Sequence, residues 1–227
     1  MKVEVLSVGG SLLFKNGKVN YSYIQDLKKF LSSFKDRKFV LVIGGGTVAR
    51  TYIDALEKLG ANRDTMSRFG IGITRTNARL IANVLGKDSN IRDIPKTLRH
   101  VKGYLRKHKI VCCGALRYEP NQTSDGTAAQ IAHYLKTRFI NVTNVKGLYT
   151  KDPNRFKGAK LVSKISYEEF SKLVNKLKYH PGQHFILDQH AAETIKKNRI
   201  KTFIVSGSFA NLKNLLRGKK FVGTSIN

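Results

Sequence analysis

Acidic side chains are scarce in this sequence. Asp and Glu number 15 against 42 Lys and Arg in 227 residues, so the formal charge is +27 and the sequence pI is near 10.3. Such a chain is attracted to polyanions whatever its task. Its cations are nonetheless spread almost evenly, with no basic tail and no linear patch of cations interleaved with aromatics. The densest run, 196–201, falls where a helix should end, and cations in a last helical turn complement the macrodipole. Small anionic ligands are expected rather than nucleic acid. Long apolar runs are also missing. The longest, 39–43, is far short of the ~20 residues that a membrane span requires, and residues 1–8 alternate like a strand rather than resembling a signal peptide. No membrane partner is expected. Cysteine is nearly absent: Cys112 and Cys113 are adjacent, and neighbours in an extended chain point to opposite faces, so they do not chelate a metal jointly. They are expected to be inert buried thiols in a reducing cytoplasm. Pro181 and Gly182 separate His180 from His184, which spoils the one helical spacing a zinc site could use.

What remains is an ordinary globular composition, 41% hydrophobic and 25% charged, which disfavours disorder and disulfide scaffolds. Short apolar segments rich in β-branched residues occur at 3–8, 39–43, 109–113, 139–143 and 201–205. They read as buried parallel strands. Between them lie amphipathic stretches: 21–34 after Asn20 as N-cap, 47–59 before Gly60, and 166–177 opening with Ser166 and Glu169 as a capping box. The alternation predicts an α/β fold, a mainly parallel sheet covered by helices on both faces. No repeat or linker divides the chain.

In such sheets ligands bind beyond the carboxyl ends of the strands. Gly9-Gly10-Ser11 follows the first strand, and Gly44-Gly45-Gly46-Thr47 follows the second and opens a helix bearing Arg50. Consecutive glycines let backbone amides approach an anion, and a helix start adds unpaired N–H donors. Two phosphate sites are suggested. Neither turn fits a Walker A loop or the dinucleotide fingerprint. Beyond the third strand, Thr123-Ser124-Asp125-Gly126-Thr127 groups hydroxyls and a carboxylate at a helix start; beyond the fourth, 143–153 supplies an aromatic and an acid at a spacing suited to a nucleoside.

In order, these segments resemble the amino-acid kinase superfamily, most closely its archaeal-type uridylate (UMP) kinases. The family's G-G-S and G-G-G-x-x-A-R turns match Gly9-Gly10-Ser11 and Gly44-Gly45-Gly46-Thr47-Val48-Ala49-Arg50. Its I-T-R-x-N-A helix matches 73–78, its acceptor segment 120–129, its nucleotide segment 143–153, and its I-D-P-x-A-A helix start 186–192. The resemblance implies a three-layer α/β/α sandwich formed by a single domain over 1–227. A lobe of about 1–135 would serve the acceptor and one of about 136–227 would serve ATP. It implies transfer of the γ-phosphoryl of ATP to UMP, giving UDP and ADP, with Mg2+ carried by nucleotide phosphates rather than bound directly by the protein. A homo-oligomer, a hexamer, is implied. Gly44, Gly45, Ser67, Gly70, Thr74, Asn77, Thr123 and Ser124 would face UMP. Gly9, Gly10, Ser11, Gly46 and Arg50 would face the ATP phosphates, and Gly10, Ser11 and Arg50 would act on the transferred group. Thr143, Asn144, Tyr149 and Asp152 would cradle the rest of ATP, and Asp125 would orient cationic or magnesium-bound groups.

The departures from the family pattern are specific. Ser7 stands where many members carry Lys, Ser67 where an acid holds the UMP ribose, Lys146 where the nucleotide segment has Asp, and Pro120-Asn121 where Pro-Gly is usual. Arg50 and Lys146 are candidates to replace the missing positive charge. Two alternatives stay open: a kinase of another small phosphate such as isopentenyl phosphate, and a catalytically silent homologue that senses nucleotides or associates with RNA.

Overall fold

The structure, a computed structural model, describes residues 1–15, 17–119, 122–151, 153, 156–175 and 187–227. Strand β1 (Lys2–Val8) leads into a short helix α1 (Gly10–Leu13), the small hairpin β2 (Phe14–Lys15) and β3 (Lys18–Val19), and helix α2 (Tyr21–Ser32). Strand β4 (Arg37–Ile43) is followed by three helices, α3 (Gly46–Lys58), α4 (Arg63–Leu85) and α5 (Leu98–Lys107). Then come β5 (Ile110–Cys113), α6 (Ser124–Tyr134), β6 (Phe139–Thr143), β7 (Lys164–Ile165) and α7 (Tyr167–Asn175). The chain closes with α8 (Gln189–Lys197), β8 (Thr202–Ser206), α9 (Phe209–Leu216) and β9 (Gly223–Ile226).

Among the described residues, seven strands form one sheet in the order β5-β4-β1-β6-β8-β9-β7. All neighbours pair in parallel except β8 and β9. Because side chains alternate across a strand, each central strand feeds two cores. On β4, Phe39, Leu41 and Ile43 face a core built with Ile24, Leu27 and Phe30 of α2, Ile81 of α4 and Leu212 of α9. Val40 and Val42 face the other, built with Val101 of α5, Ile131 of α6, Phe170 of α7 and Ile195 of α8. This is the expected three-layer sandwich, and the five strands read from sequence recur within two residues at each end. The 166–177 stretch forms a helix over Tyr167–Asn175, with Ser166 and Glu169 exchanging the predicted capping-box bonds. Residues 176–177 lie outside the described part. Strand β9 and the hairpin of β2 and β3 escaped sequence reading because they are short and lack an apolar run.

Cys112 and Cys113 are both buried free thiols, and burial raises the pKa of each, Cys113 to about 12. They remain protonated.

One buried ionic group locks the sheet at the end where its strands begin. Glu4 of β1 is fully buried. Arg138, just before β6, donates from Nε to Glu4 Oε2 at 2.6 Å and from Nη2 to Oε1 at 2.8 Å. Arg37, which opens β4, donates to Oε1 as well and also reaches the Leu216 carbonyl at 2.8 Å. A single carboxylate therefore ties β1 to both of its neighbours. Breaking such a group strands buried charge, which costs about 3–5 kcal/mol. Glu4→Ala is expected to lower the unfolding free energy by about that amount, measured from the shift of a urea midpoint at constant m-value.

Candidate active site

At the opposite end of the sheet, the turns after β1 and β4 touch backbone to backbone. A Cβ on Gly10 would lie 2.2 Å from the Gly46 amide nitrogen and 2.9 Å from the Gly44 carbonyl oxygen. Any side chain at Gly10 would force the turns apart. Gly46 also needs a glycine's freedom, with φ of 65° and the Gly10 carbonyl oxygen 2.8 Å from where its Cβ would stand. Gly9 N donates to the Val142 carbonyl at 3.0 Å and Gly207 N to the Thr143 carbonyl at 2.9 Å, which draws the end of β6 to the same place.

The helix caps distinguish these turns from the other α-helices among the described residues. Asn20, Asn62, Thr97, Thr123, Asp188 and Ser208 each accept a backbone N–H at the start of their helices. Helices α1 and α3 begin at Gly9 and Gly45 with no side-chain cap. Their first N–H groups are left for another acceptor, and a helix start with free amides suits an anion.

Helix α4 lines the third side. Asn77 donates from Nδ2 to the carbonyls of Gly44 at 3.0 Å and Gly45 at 3.1 Å, fixing the turn from behind. Thr74 Oγ1 accepts the Ala115 N–H at 3.0 Å and donates to the Ile71 carbonyl at 2.7 Å. Arg75 donates to the carbonyls of Ala115 and Leu116, and burial lowers its pKa. The segment after β5 passes so close that a Cβ on Gly114 would meet Thr74 Oγ1 at 2.5 Å.

Asp125, in the first turn of α6, reaches the centre of this assembly. Ser7 Oγ, from the penultimate residue of β1, donates to its Oδ1 at 2.6 Å. Burial raises the Asp125 pKa to about 7, the Ser7 hydrogen bond opposes the rise, and the Asp188 charge adds to it. Asp188 is buried and fully occupied: it accepts from Thr123 N at 3.3 Å, Gly126 N at 3.2 Å and Ala191 N at 2.6 Å, and from the Thr123 hydroxyl. It clamps the starts of α6 and α8 together. Of the two acids, Asp125 is the one left available for chemistry.

The expected site residues divide by position. The fold gathers Gly9, Gly10, Ser11, Gly44, Gly45, Gly46, Thr74, Asn77, Thr123, Asp125 and Thr143 around the strand ends; Ser124 Oγ would lie 3.5 Å from a Cβ on Gly44. Arg50 is half-buried on α3, with no ion pair or hydrogen bond among the described residues. Gly70 sits farther along α4 against Ile53 of α3, and Ser67 is exposed on α4. Asn144 is exposed next to Thr143, Lys146 is exposed, and Tyr149 bridges Leu161. Asp152, His180, His184 and Pro120-Asn121 lie outside the described residues. Sequence reading treated Ser7 as a missing cation and passed over it as a partner for Asp125. It also left Arg75 and Asp188 without roles, although both lie inside the segments that carried the resemblance.

The raised Asp125 pKa has a sign that can be checked. Between the ordinary carboxylate range and pH 7 the folded chain holds a proton that the unfolded chain releases. This group's contribution to stability is therefore full at low pH, is lost as pH rises through about 7, and is flat above. Asp125→Asn lacks that loss, so the thermal midpoint of the variant relative to the parent should rise between pH 5 and pH 8 in the absence of nucleotide. A constant difference across that range would contradict the assignment.

The model of the Amino acid kinase family matches residues 2–206. The chain is 34% identical over 223 residues to a protein named uridylate kinase from Thermoplasma volcanium, covering 98% of this chain and 96% of that one. It is similar to the crystal structure of uridylate kinase from Archaeoglobus fulgidus, with a TM-score of 0.85, 31% identity and full coverage of both chains. A structure of isopentenyl phosphate kinase gives a TM-score of 0.73 at 14% identity, covering 99% of this chain and 100% of that one, a likeness of fold alone. The chain belongs to the amino acid kinase family.

Proposed function

We propose that this chain is a UMP kinase that transfers the γ-phosphoryl group of ATP to the phosphate of UMP. The observation that carries the reading is the pair of uncapped glycine turns joined beside Asp125, in a chain about a third identical to proteins named uridylate kinase.

The chemistry asks little of a general base. An oxygen of the UMP phosphate, already anionic at neutral pH, forms a bond to the γ-phosphorus as the bond to the bridging oxygen of ADP breaks. Rate enhancement then comes from alignment and from neutralising charge on the migrating group. The N–H groups at Gly9–Ser11 and at the start of α3 would hold the phosphates of ATP. Gly44, Gly45, Thr74, Asn77, Thr123 and Ser124 would form the UMP side, with Ser67 and Gly70 at its outer edge. Thr143, Asn144, Tyr149 and Asp152 would serve the nucleoside of ATP. Arg50, free of internal partners among the described residues, would turn its guanidinium to the transferred group.

Magnesium carried on the ATP phosphates would supply further positive charge. The Asp125 carboxylate, whose Oδ2 has no hydrogen bond among the described residues, and the Ser11 hydroxyl offer oxygen atoms that suit a hydrated hard cation held by those phosphates, without binding it directly. Positive charge arriving near Asp125 favours its ionised form, so the acid is ready to orient bound groups when nucleotide is present.

The chain is proposed to work as one domain, with its acceptor lobe over about 1–135 and its ATP lobe over about 136–227. No helix among the described residues is long and apolar enough to cross a membrane, and two buried thiols suit a reducing cytoplasm. The family resemblance implies a hexamer, and a surface for a partner is offered by α3, whose one buried residue is Ala49, and by Tyr52 and Phe69, 49% and 41% exposed with ring centroids 5.3 Å apart. Those aromatics call for a partner surface. Tyr52→Glu with Phe69→Glu should shift the sedimentation coefficient to a smaller species; an unchanged assembly would exclude this face.

Purified protein with ATP and magnesium should form UDP from UMP and leave isopentenyl phosphate unphosphorylated. Arg50→Ala should lower kcat by about 100-fold, in keeping with loss of a transition-state cation. Activity confined to isopentenyl phosphate would overturn the substrate, and turnover within about threefold for Arg50→Ala would remove that residue from its role.

A further inference from the structure

A second concentration of positive charge lies away from the glycine turns. Helix α5 carries Arg99, His100, Lys102, Arg106 and Lys107 and no acid. Val101 and Leu105 turn into the core, so the helical period places the cations on the opposite side. Arg99, Lys102, Arg106 and Lys107 are exposed there, and Arg92 and Lys96 extend the same charge along the preceding segment. None of these six forms an ion pair among the described residues. Asp93, between Arg92 and Lys96, interacts with Tyr104, whose pKa is raised by burial first and by Asp93 second. By contrast, Lys29 pairs with Asp26 on α2 at 3.4 Å and Arg68 with Asp64 on α4 at 2.7 Å. The even spread of cations along the sequence hides this face, because the helix stacks residues that are not adjacent in the chain.

An aromatic sits within the same field. Tyr134, at the end of α6, is 40% exposed, and Lys102 Nζ lies 5.7 Å from its ring centroid. Lys136 is exposed just beyond it, and Lys38 donates to the Leu105 carbonyl at the end of α5. Arg106 and Lys107 precede β5, and Lys136 precedes β6, so this part of the surface lies where strands begin, opposite the phosphate turns.

We propose that the exposed face of α5, with Tyr134 at its border, docks the phosphodiester backbone of a nucleic acid. From Arg99 to Lys107 the cations extend about 12 Å along the axis at 1.5 Å per residue, which suits a chain of phosphates better than one phosphate group. The exposed tyrosine offers a stacking surface for a base. An anionic membrane is the poorer match, because α5 presents no exposed large hydrophobic side chain to enter a bilayer. The inference is independent of the kinase reading and reverses the sequence-based expectation that nucleic acid is not a partner.

The test uses fluorescence anisotropy of the full chain with labelled single-stranded RNA and duplex DNA of about 30 nucleotides, titrated across salt. The variant R99E/K102E/R106E should bind at least about 30-fold more weakly near 100 mM salt, with a log–log salt slope shallower by about 2–3, at 0.7–0.9 per lost phosphate contact. K28E/K197E/K219E changes the net charge equally at exposed sites elsewhere and should stay within about threefold of the parent. Thermal unfolding checks that each variant is folded; if the reversed variant is not, R99Q/K102Q/R106Q should show the same direction with a smaller loss. Preference for RNA or for duplex DNA identifies the source of the phosphates. No binding by the parent, equal loss in the two charge-reversed variants, or tighter α5-dependent binding to phosphatidylglycerol vesicles would overturn the proposal.

Discussion

The hydrogen bond from Ser7 to Asp125 is the contact around which the site is arranged. It joins the last residues of the central strand β1 to the first turn of α6, and it holds a carboxylate where three other features meet. Those features are the locked turns at Gly10 and Gly46, the side chains of α4 that brace the acceptor segment, and the Asp188 clamp between α6 and α8. Burial raises the Asp125 pKa to about 7, and a neutral hydroxyl offsets this less than a cation would. A lysine at the position of Ser7 would instead form an ion pair with the same acid. Positive charge arriving with a ligand favours the ionised form of this acid.

Scarcity of acids gives the three that hold the sheet and its helix starts distinct tasks. Glu4 secures the strand beginnings by accepting from Arg37 and Arg138, Asp188 secures two helix starts, and Asp125 alone of the three keeps an unpaired oxygen among the described residues. The sheet is therefore anchored at one end by charge and closed at the other by glycine backbone. That division leaves N–H groups at the strand ends for ligands that bring their own charge. The surplus cations are a separate matter. Most are solvated, but on α5 they lie together without counter-ions, on the side of the molecule away from the phosphate turns.

Much of this was legible in the sequence, for identifiable reasons. The strands β1, β4, β5, β6 and β8 are short segments rich in apolar and β-branched residues, and the glycines at 9–10 and 44–46 mark backbone that must approach closely. Strand β9 reads Gly-Thr-Ser-Ile and has no such signature, so its antiparallel pairing with β8 depends on tertiary contacts. The partnership of Ser7 with Asp125 was invisible because the two are 118 residues apart and neither type specifies the other. Arg75 and Asp188 were visible as letters of a pattern, yet their work of holding carbonyls and helix starts appears only when the segments are placed side by side. The basic face of α5 was missed for a different reason: a count along the chain cannot show what a helical period gathers on one side.

The central claim is that desolvation, opposed by a hydroxyl rather than by a cation, raises the Asp125 pKa to about 7. Carbon-13 NMR of the nucleotide-free protein with labelled aspartate carboxyls, assigned by loss of one resonance in Asp125→Asn, measures this directly. The account predicts a titration midpoint near 7 for that resonance, moving higher in Ser7→Ala as the opposing hydrogen bond is removed. A midpoint in the ordinary carboxylate range, near 4, and unmoved by Ser7→Ala would contradict it.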